Sequence, residues 1–216
     1  MTFKKFWTEN DPNKGFYRYF IFEFTLTMKK LFLLFVLLFL PALSQAQVGT
    51  GLNVQAYPAG IITDAYLDVD LSSNLTLTTG VGYNFTNRRD WGEHDNEEGG
   101  GPGFSFKIEK KGFINENLSL ILRSDIWFMD IDWINEEPCP SSSSSCGRGE
   151  IIQNPGTTEV TVIQPTIGLG YGLSPRENLL IMPTLSFGYE INMETKGEAV
   201  GEGAILLLGF KLGYKQ

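Results

Sequence analysis

From Val48 onward, apolar residues recur at every second position in short runs, and the positions between them are small or polar. A period of two belongs to β-strands, whose successive side chains point to opposite faces. Eight runs carry it. The first sets Val48, Thr50, Leu52, Val54 and Ala56 against Gly49, Gly51, Asn53, Gln55 and Tyr57. The second sets Ala65, Leu67, Val69 and Leu71 against Tyr66, Asp68 and Asp70; the third begins at Leu75 and ends at Phe85. The fourth places Phe104, Phe106 and Ile108 opposite Ser105, Lys107 and Glu109. In the fifth, Leu118 to Phe128 carries Arg123, Asp125 and Trp127 on its polar side. Past Phe128, Asp130 and Asp132 fall on the greasy side, so the strand leaves its apolar surroundings there. The sixth (Ile163 to Tyr171) and seventh (Leu179 to Tyr189) echo each other, and the eighth runs from Leu206 to Tyr214.

Three strands start on the same signal: Ser73-Asn74-Leu75, Glu116-Asn117-Leu118 and Glu177-Asn178-Leu179. Asn tolerates the left-handed conformation of a tight turn, and the following Leu opens the apolar row. Short turns thus alternate with longer connections, Thr86 to Pro102, Asn135 to Thr157 and Met193 to Gly203. A tilted strand crosses a bilayer in about 9–11 residues. The pattern therefore predicts an all-β protein, an eight-stranded antiparallel up-and-down transmembrane barrel with lipid against its apolar face. Pro165 and Pro183 cannot donate to a sheet ladder and predict a bulge or a lost bond, not a broken strand. Phe85, Trp91, Trp127, Phe128, Trp133, Tyr171, Tyr189 and Tyr214 are candidates for aromatic girdles at headgroup depth.

Upstream, Met28-Lys29-Lys30, the apolar run Leu31 to Leu40 and Ser44-Gln45-Ala46 read as a secretory signal peptide over 28–46, cut after Ala46. Residues 1–27 are then read as an extension upstream of the true start, and 47–216 as the barrel domain. Six basic and three acidic residues precede Gln47, so the exported part holds 11 basic against 22 acidic residues. That acidity argues against nucleic acid as a partner. Cys139 and Cys146 bracket a Pro- and Ser-rich stretch, and in an exported chain such a pair is expected to form a disulfide.

The signal peptide, the alternating strands, the Asn-Leu turns and the closing Gly209-Phe210-Lys211-Leu212-Gly213-Tyr214 together resemble the small outer-membrane β-barrel family, OmpA-like and OmpX-like. The resemblance covers Gln47 to Gln216; where that family usually ends on an aromatic residue, Lys215 and Gln216 follow Tyr214. It implies a location in the bacterial outer membrane and contact with its lipid and lipopolysaccharide. It also implies handling by the barrel-assembly machinery, and it implies no cofactor.

An eight-stranded barrel is about wide enough for side chains to fill. The inward charges Asp68, Asp70, Lys107, Glu109, Arg123, Asp125, Glu190 and Lys211 carry both signs, as a closed network needs. A narrow ion or small-solute path along them is the alternative, and inward glycines such as Gly80, Gly168 and Gly188 leave room for water. Glu93, Asp95, Glu97, Glu98, Asp130 and Asp132 are weak candidates for a divalent cation. Trp91, His94 and Trp133 are candidates for contact with an extracellular ligand. Lipid-modifying catalysis would need the single histidine, His94, beside a serine, and none is near it in sequence. A non-enzymatic structural or surface-interaction role is therefore expected. A soluble lipocalin-like barrel would need the apolar face turned inward.

Overall fold

The computed structural model describes residues 47–89, 92–139 and 151–215. The expected signal peptide, the upstream extension, Trp91 and Cys146, hence the Cys139–Cys146 pairing, lie outside them. The strands are β1 (Val48–Tyr57), β2 (Gly60–Ser72), β3 (Leu75–Arg89), β4 (Asn96–Lys110), β5 (Leu118–Pro138), β6 (Ile151–Tyr171), β7 (Leu173–Arg176), β8 (Leu179–Lys196) and β9 (Gly203–Lys215). Apart from β6 and β7, each pairs antiparallel with its neighbour in sequence, β1 pairs with β9, and β6 pairs with β8. The ring therefore closes through eight strands, and the four-residue β7 continues β6 past Gly172 along the edge of β8. Closure leaves no free edge along the ring, which is how an antiparallel sheet satisfies its backbone in hydrocarbon.

The two faces separate as the alternation predicts. Leu52, Val81, Phe104, Leu122, Ile167, Leu185, Leu208 and Phe210 point outward, and Leu208 is 60% exposed. Asn53, Asp64, Asp68, Lys107, Arg123 and Lys211 point inward and are buried. This is the reverse of a soluble barrel, and it continues round the ring. No helix among the described residues is long and apolar enough to cross a membrane, which leaves crossing by strands untouched.

The Asn-Leu turns gather at one end, here the turn end. Asn117 and Asn178 donate from that end to the hydroxyls of Tyr171 and Tyr214, both at 3.4 Å, so two turn residues hold two outward tyrosines of one girdle. Toward the other, loop end, Phe85, Phe128 and Tyr189 point outward, and the Tyr83 and Phe85 rings lie 4.5 Å apart. Trp127 and Trp133 do not join this girdle: both point inward and are buried.

The long connections are shorter than expected. β3 reaches Arg89 and β4 starts at Asn96, while β5 and β6 stay paired up to Pro138 and Ile151. The alternation does not stop at Phe128; it changes sign. Beyond it Met129, Ile131 and Trp133 face inward and Asp130 and Asp132 outward. Opposite them Val160 and Val162 face in and Glu159 out. A test that looks for apolar residues on the outer face ends where that face turns polar.

The prolines act locally. On the β8 side, pairing lapses between Ile163↔Ile191 and Thr166↔Gly188 without a change of register, so Pro165 costs a bond and no more. Pro183 stays within the β8–β9 pairing, opposite Phe210.

Candidate functional site

The lumen is filled in two layers of different chemistry. Toward the turn end it is ionic. Arg123 binds Asp125 and Asp64, each at 2.8 Å, and Asn53 donates to Asp64 at 2.9 Å. Lys211 binds Asp68 at 2.7 Å and Glu109 at 3.2 Å. Thr78 donates to Asp68 and Ser119 to Glu109, in each case to the carboxylate oxygen that Lys211 does not hold. Nearer the rim Lys111 binds Asp70 at 2.8 Å. Among the described residues Lys107 makes no ion pair; its ammonium lies 5.4 Å from the centre of the Tyr66 ring, with Lys211 at 4.8 Å. A cation near an aromatic face is held by the ring quadrupole.

Glycine makes room for that ring. A Cβ on Gly51 or Gly213 would lie 2.5 Å from the Tyr66 hydroxyl, which donates to the Leu212 carbonyl at 3.0 Å. Gly103, paired with Trp127, leaves the space that its indole fills: a Cβ there would meet the ring at 2.3 Å. At these positions the inward glycines seat aromatic rings and do not line a water path.

Toward the loop end the filling is apolar. Tyr57, Ile62, Trp127, Met129, Ile131, Trp133, Val160, Val162, Ile205 and Leu207 form one buried cluster, joined by Val200 of the β8–β9 connection. One ionic group sits beside it: Arg88 binds Glu97 at 3.0 Å and also Glu190. Gln164 donates to Glu190 at 2.6 Å and accepts from the Trp127 indole at 2.8 Å.

All eight inward charges expected from the sequence face the lumen side of the wall, seven of them buried and Asp70 partly so. Asp64, Arg88, Glu97 and Lys111 were not among them. Asp64 shares parity with Tyr66 and Asp68, and Glu97 with Lys107 and Glu109, so extending β2 and β4 by the same alternation finds both.

His94 and Trp133, expected to reach out to a ligand, are instead packed together. Their rings stack at 4.1 Å and 8°, and each residue is less than a tenth exposed. His94 Nε2 lies 2.8 Å from the Ala199 carbonyl and Nδ1 2.9 Å from Asn135 Oδ1. The candidate cation ligands are not gathered either. Glu97 is committed to Arg88, Asp95 accepts the Glu136 N–H at 2.6 Å, and Asp132 accepts from Thr157 at 2.6 Å on the outer face. Among the described residues no three His, Cys, Asp or Glu side chains are placed to hold a metal. Outside the barrel, Glu159 bonds Lys196 at 3.1 Å and, with Glu194, raises its ammonium pKa.

No family model and no curated protein matches the chain. Among solved structures, it is similar to the N-terminal β-barrel domain of OprF from Pseudomonas aeruginosa (15% identity, 79% of this chain and 100% of that chain, TM-score 0.39). It is also similar to Neisserial surface protein A (7%, 79% and 97%, TM-score 0.43). A major outer membrane protein from Thermus thermophilus has 12% identity, with 80% of this chain and 100% of that one covered, and a TM-score of 0.47.

Proposed function

We propose that this protein is an outer-membrane β-barrel with a structural or surface-interaction role, and that it is not an open diffusion pore. The observation that carries the reading is the pairing of an apolar outside with a lumen filled by an ionic layer and an apolar cluster, which leave cavities of about 210 Å³ at the turn end and about 140 Å³ beside Arg88 and Glu190. Leu122 and Phe128 on the outer face are 49% exposed each, while Trp127 between them is fully buried. Burying that outer face in hydrocarbon follows from the hydrophobic effect, at roughly 25 cal/mol per Å² of apolar surface removed from water. The ionic layer closes the turn-end half, and the aromatic layer closes the loop-end half.

The role is non-enzymatic: His94, the one histidine, has both ring nitrogens engaged and its face on Trp133. With the loop end placed outside the cell, the paired β5–β6 extension carries Asp130, Asp132 and Glu159 on its outer face and exposes Glu136 and Glu137 near its tip, beyond the bilayer. Membrane lipid and lipopolysaccharide surround the wall, the barrel-assembly machinery inserts it, and an extracellular ligand would meet the acidic extension. Export through residues 28–46 belongs to the same reading.

Two measurements test it. The outer-membrane fraction should yield a band whose gel migration shifts on heating, and a protein recovered in the soluble periplasmic fraction would overturn the proposal. Planar bilayers containing the refolded barrel should stay silent; stable single-channel steps would favour the ion-path alternative.

A further inference from the structure

Four successive carbonyls of the β8–β9 connection are each met by a side chain from a different part of the barrel. Thr158 donates to Glu198 O at 3.0 Å, His94 Nε2 lies 2.8 Å from Ala199 O, Asn192 donates to Val200 O at 2.9 Å, and Arg88 donates to Gly201 O at 2.5 Å. The partners come from β6, the β3–β4 connection, β8 and β3. The Gly201 N–H in turn donates to the Glu97 carboxylate at 3.0 and 3.1 Å. A surface connection ordinarily leaves its backbone to water. This one is bonded at every residue from 198 to 201, and its Val200 side chain, 3% exposed, is part of the apolar cluster.

We propose that residues 197–202 form a gating strap over the loop-end half of the lumen, and that the strap's position is relayed to Trp127. Arg88 is the junction. Its guanidinium is shared between the strap carbonyl of Gly201, Glu97 and Glu190. From Glu190 the chain of bonds continues through Gln164 to the Trp127 indole.

Lifting the strap takes a carbonyl from Arg88 and an N–H from Glu97 at once. Charged groups that lose buried partners need water in their place. Water that reaches Arg88 and Glu190 meets Gln164, the group that holds the indole. Val200 leaves the apolar cluster in the same movement. The turn-end lattice of Arg123, Lys211 and their carboxylates shares no bond with this chain, so the device opens a cup facing outward and not a pore. The inference rests on the filled-lumen reading, and the experiment separates the two.

The test is hydrogen exchange by NMR on the refolded full barrel, reading the Gly201 amide, the Trp127 indole N–H and the amides flanking Lys211. In the unaltered protein Gly201 and Trp127 should open together, with the Lys211 region slower. His94→Ala removes the Ala199 contact and the stack on Trp133. Gly201→Val loosens the strap from beneath, because a Cβ there lies 3.0 Å from Gly92 Cα, 3.2 Å from Arg88 Nη1 and 3.3 Å from Glu97 Oε2.

Both variants should speed exchange at Gly201 and at the Trp127 indole about 5–30-fold, the factor for one or two lost bonds, with the Lys211 amides unchanged. A faster Gly201 with an unchanged indole overturns the relay, and no change at either overturns the strap. If all three sites accelerate together, the barrel has loosened as a whole and the gate is also overturned. Should either variant fail to fold, separate opening rates for Gly201 and Trp127 in the unaltered protein overturn it alone. Channel steps in a bilayer from the unaltered protein would count against the filled lumen and leave the exchange result to judge the strap.

Discussion

Below and above Phe128, the same strand uses the same alternation for opposite ends. From Leu118 to Phe128, β5 turns Leu120, Leu122 and Ile126 outward and Arg123 and Asp125 inward; from Met129 to Trp133 it turns Asp130 and Asp132 outward and Met129 and Ile131 inward. Only the surroundings differ. In hydrocarbon the apolar face belongs outside, and the polar residues must satisfy one another in the lumen. In water the ordinary rule returns, and the wall encloses an apolar core. The change of sign is therefore a ruler for the membrane boundary. On β6 it falls between Ile163 and Glu159, and Phe128 pairs with Thr161 across it.

The two halves should fail differently. Arg123→Met leaves Asp64 and Asp125 buried without their ion-pair partner, and is expected to cost about 3–5 kcal/mol, since one side of a buried ion pair is removed without the other. Urea unfolding of the refolded barrel, followed by gel mobility, checks it; a loss no larger than that of an exposed pair would show that the lattice is hydrated. In the apolar half, Ile131→Ala removes a side chain that is 1% exposed and should cost about 2–5 kcal/mol through lost burial and the cavity left behind. The same titration reads it, and a neutral result would mean the loop-end cluster is not packed.

Smaller effects sharpen the contrast. Thr158→Val deletes one donor to the strap and one acceptor of the Trp133 indole, and is expected to cost about 1–3 kcal/mol because the indole N–H is left buried without its partner. Lys196→Ala breaks a pair on the outer surface, with both partners more than half exposed, and should leave the unfolding midpoint where it was.

Much of the barrel is legible in its residues because the period-two signal and the Asn-Leu turns are local. The inward side of Asp68, Lys107, Arg123 and Lys211 follows from parity alone. Harder to see was everything that depends on the change of sign. Arg88, Glu97 and the strap carbonyls meet only because β3, β4 and β8 run past the apolar belt, and nothing in the spacing of His94 and Trp133 announces that their rings stack. Backbone acceptors such as Ala199 and Gly201 carry no sequence signature at all. Gly51, Gly103 and Gly213 are the seats of Tyr66 and Trp127, a pairing made across strands and invisible within one.

The membrane boundary itself can be measured by placing arginine, one position at a time, at Leu122, Ile126, Phe128, Asp130 and Asp132 along the outer face of β5, and titrating each variant's stability in a bilayer. A charge facing lipid costs about 2–4 kcal/mol at the midplane and falls to about 0–1 near the interface. The expected profile is high at Leu122, declines through Ile126 and Phe128, and reaches nothing at Asp130 and Asp132. A flat profile, or one that stays high at Asp132, would contradict a membrane edge at the point where the wall changes sign.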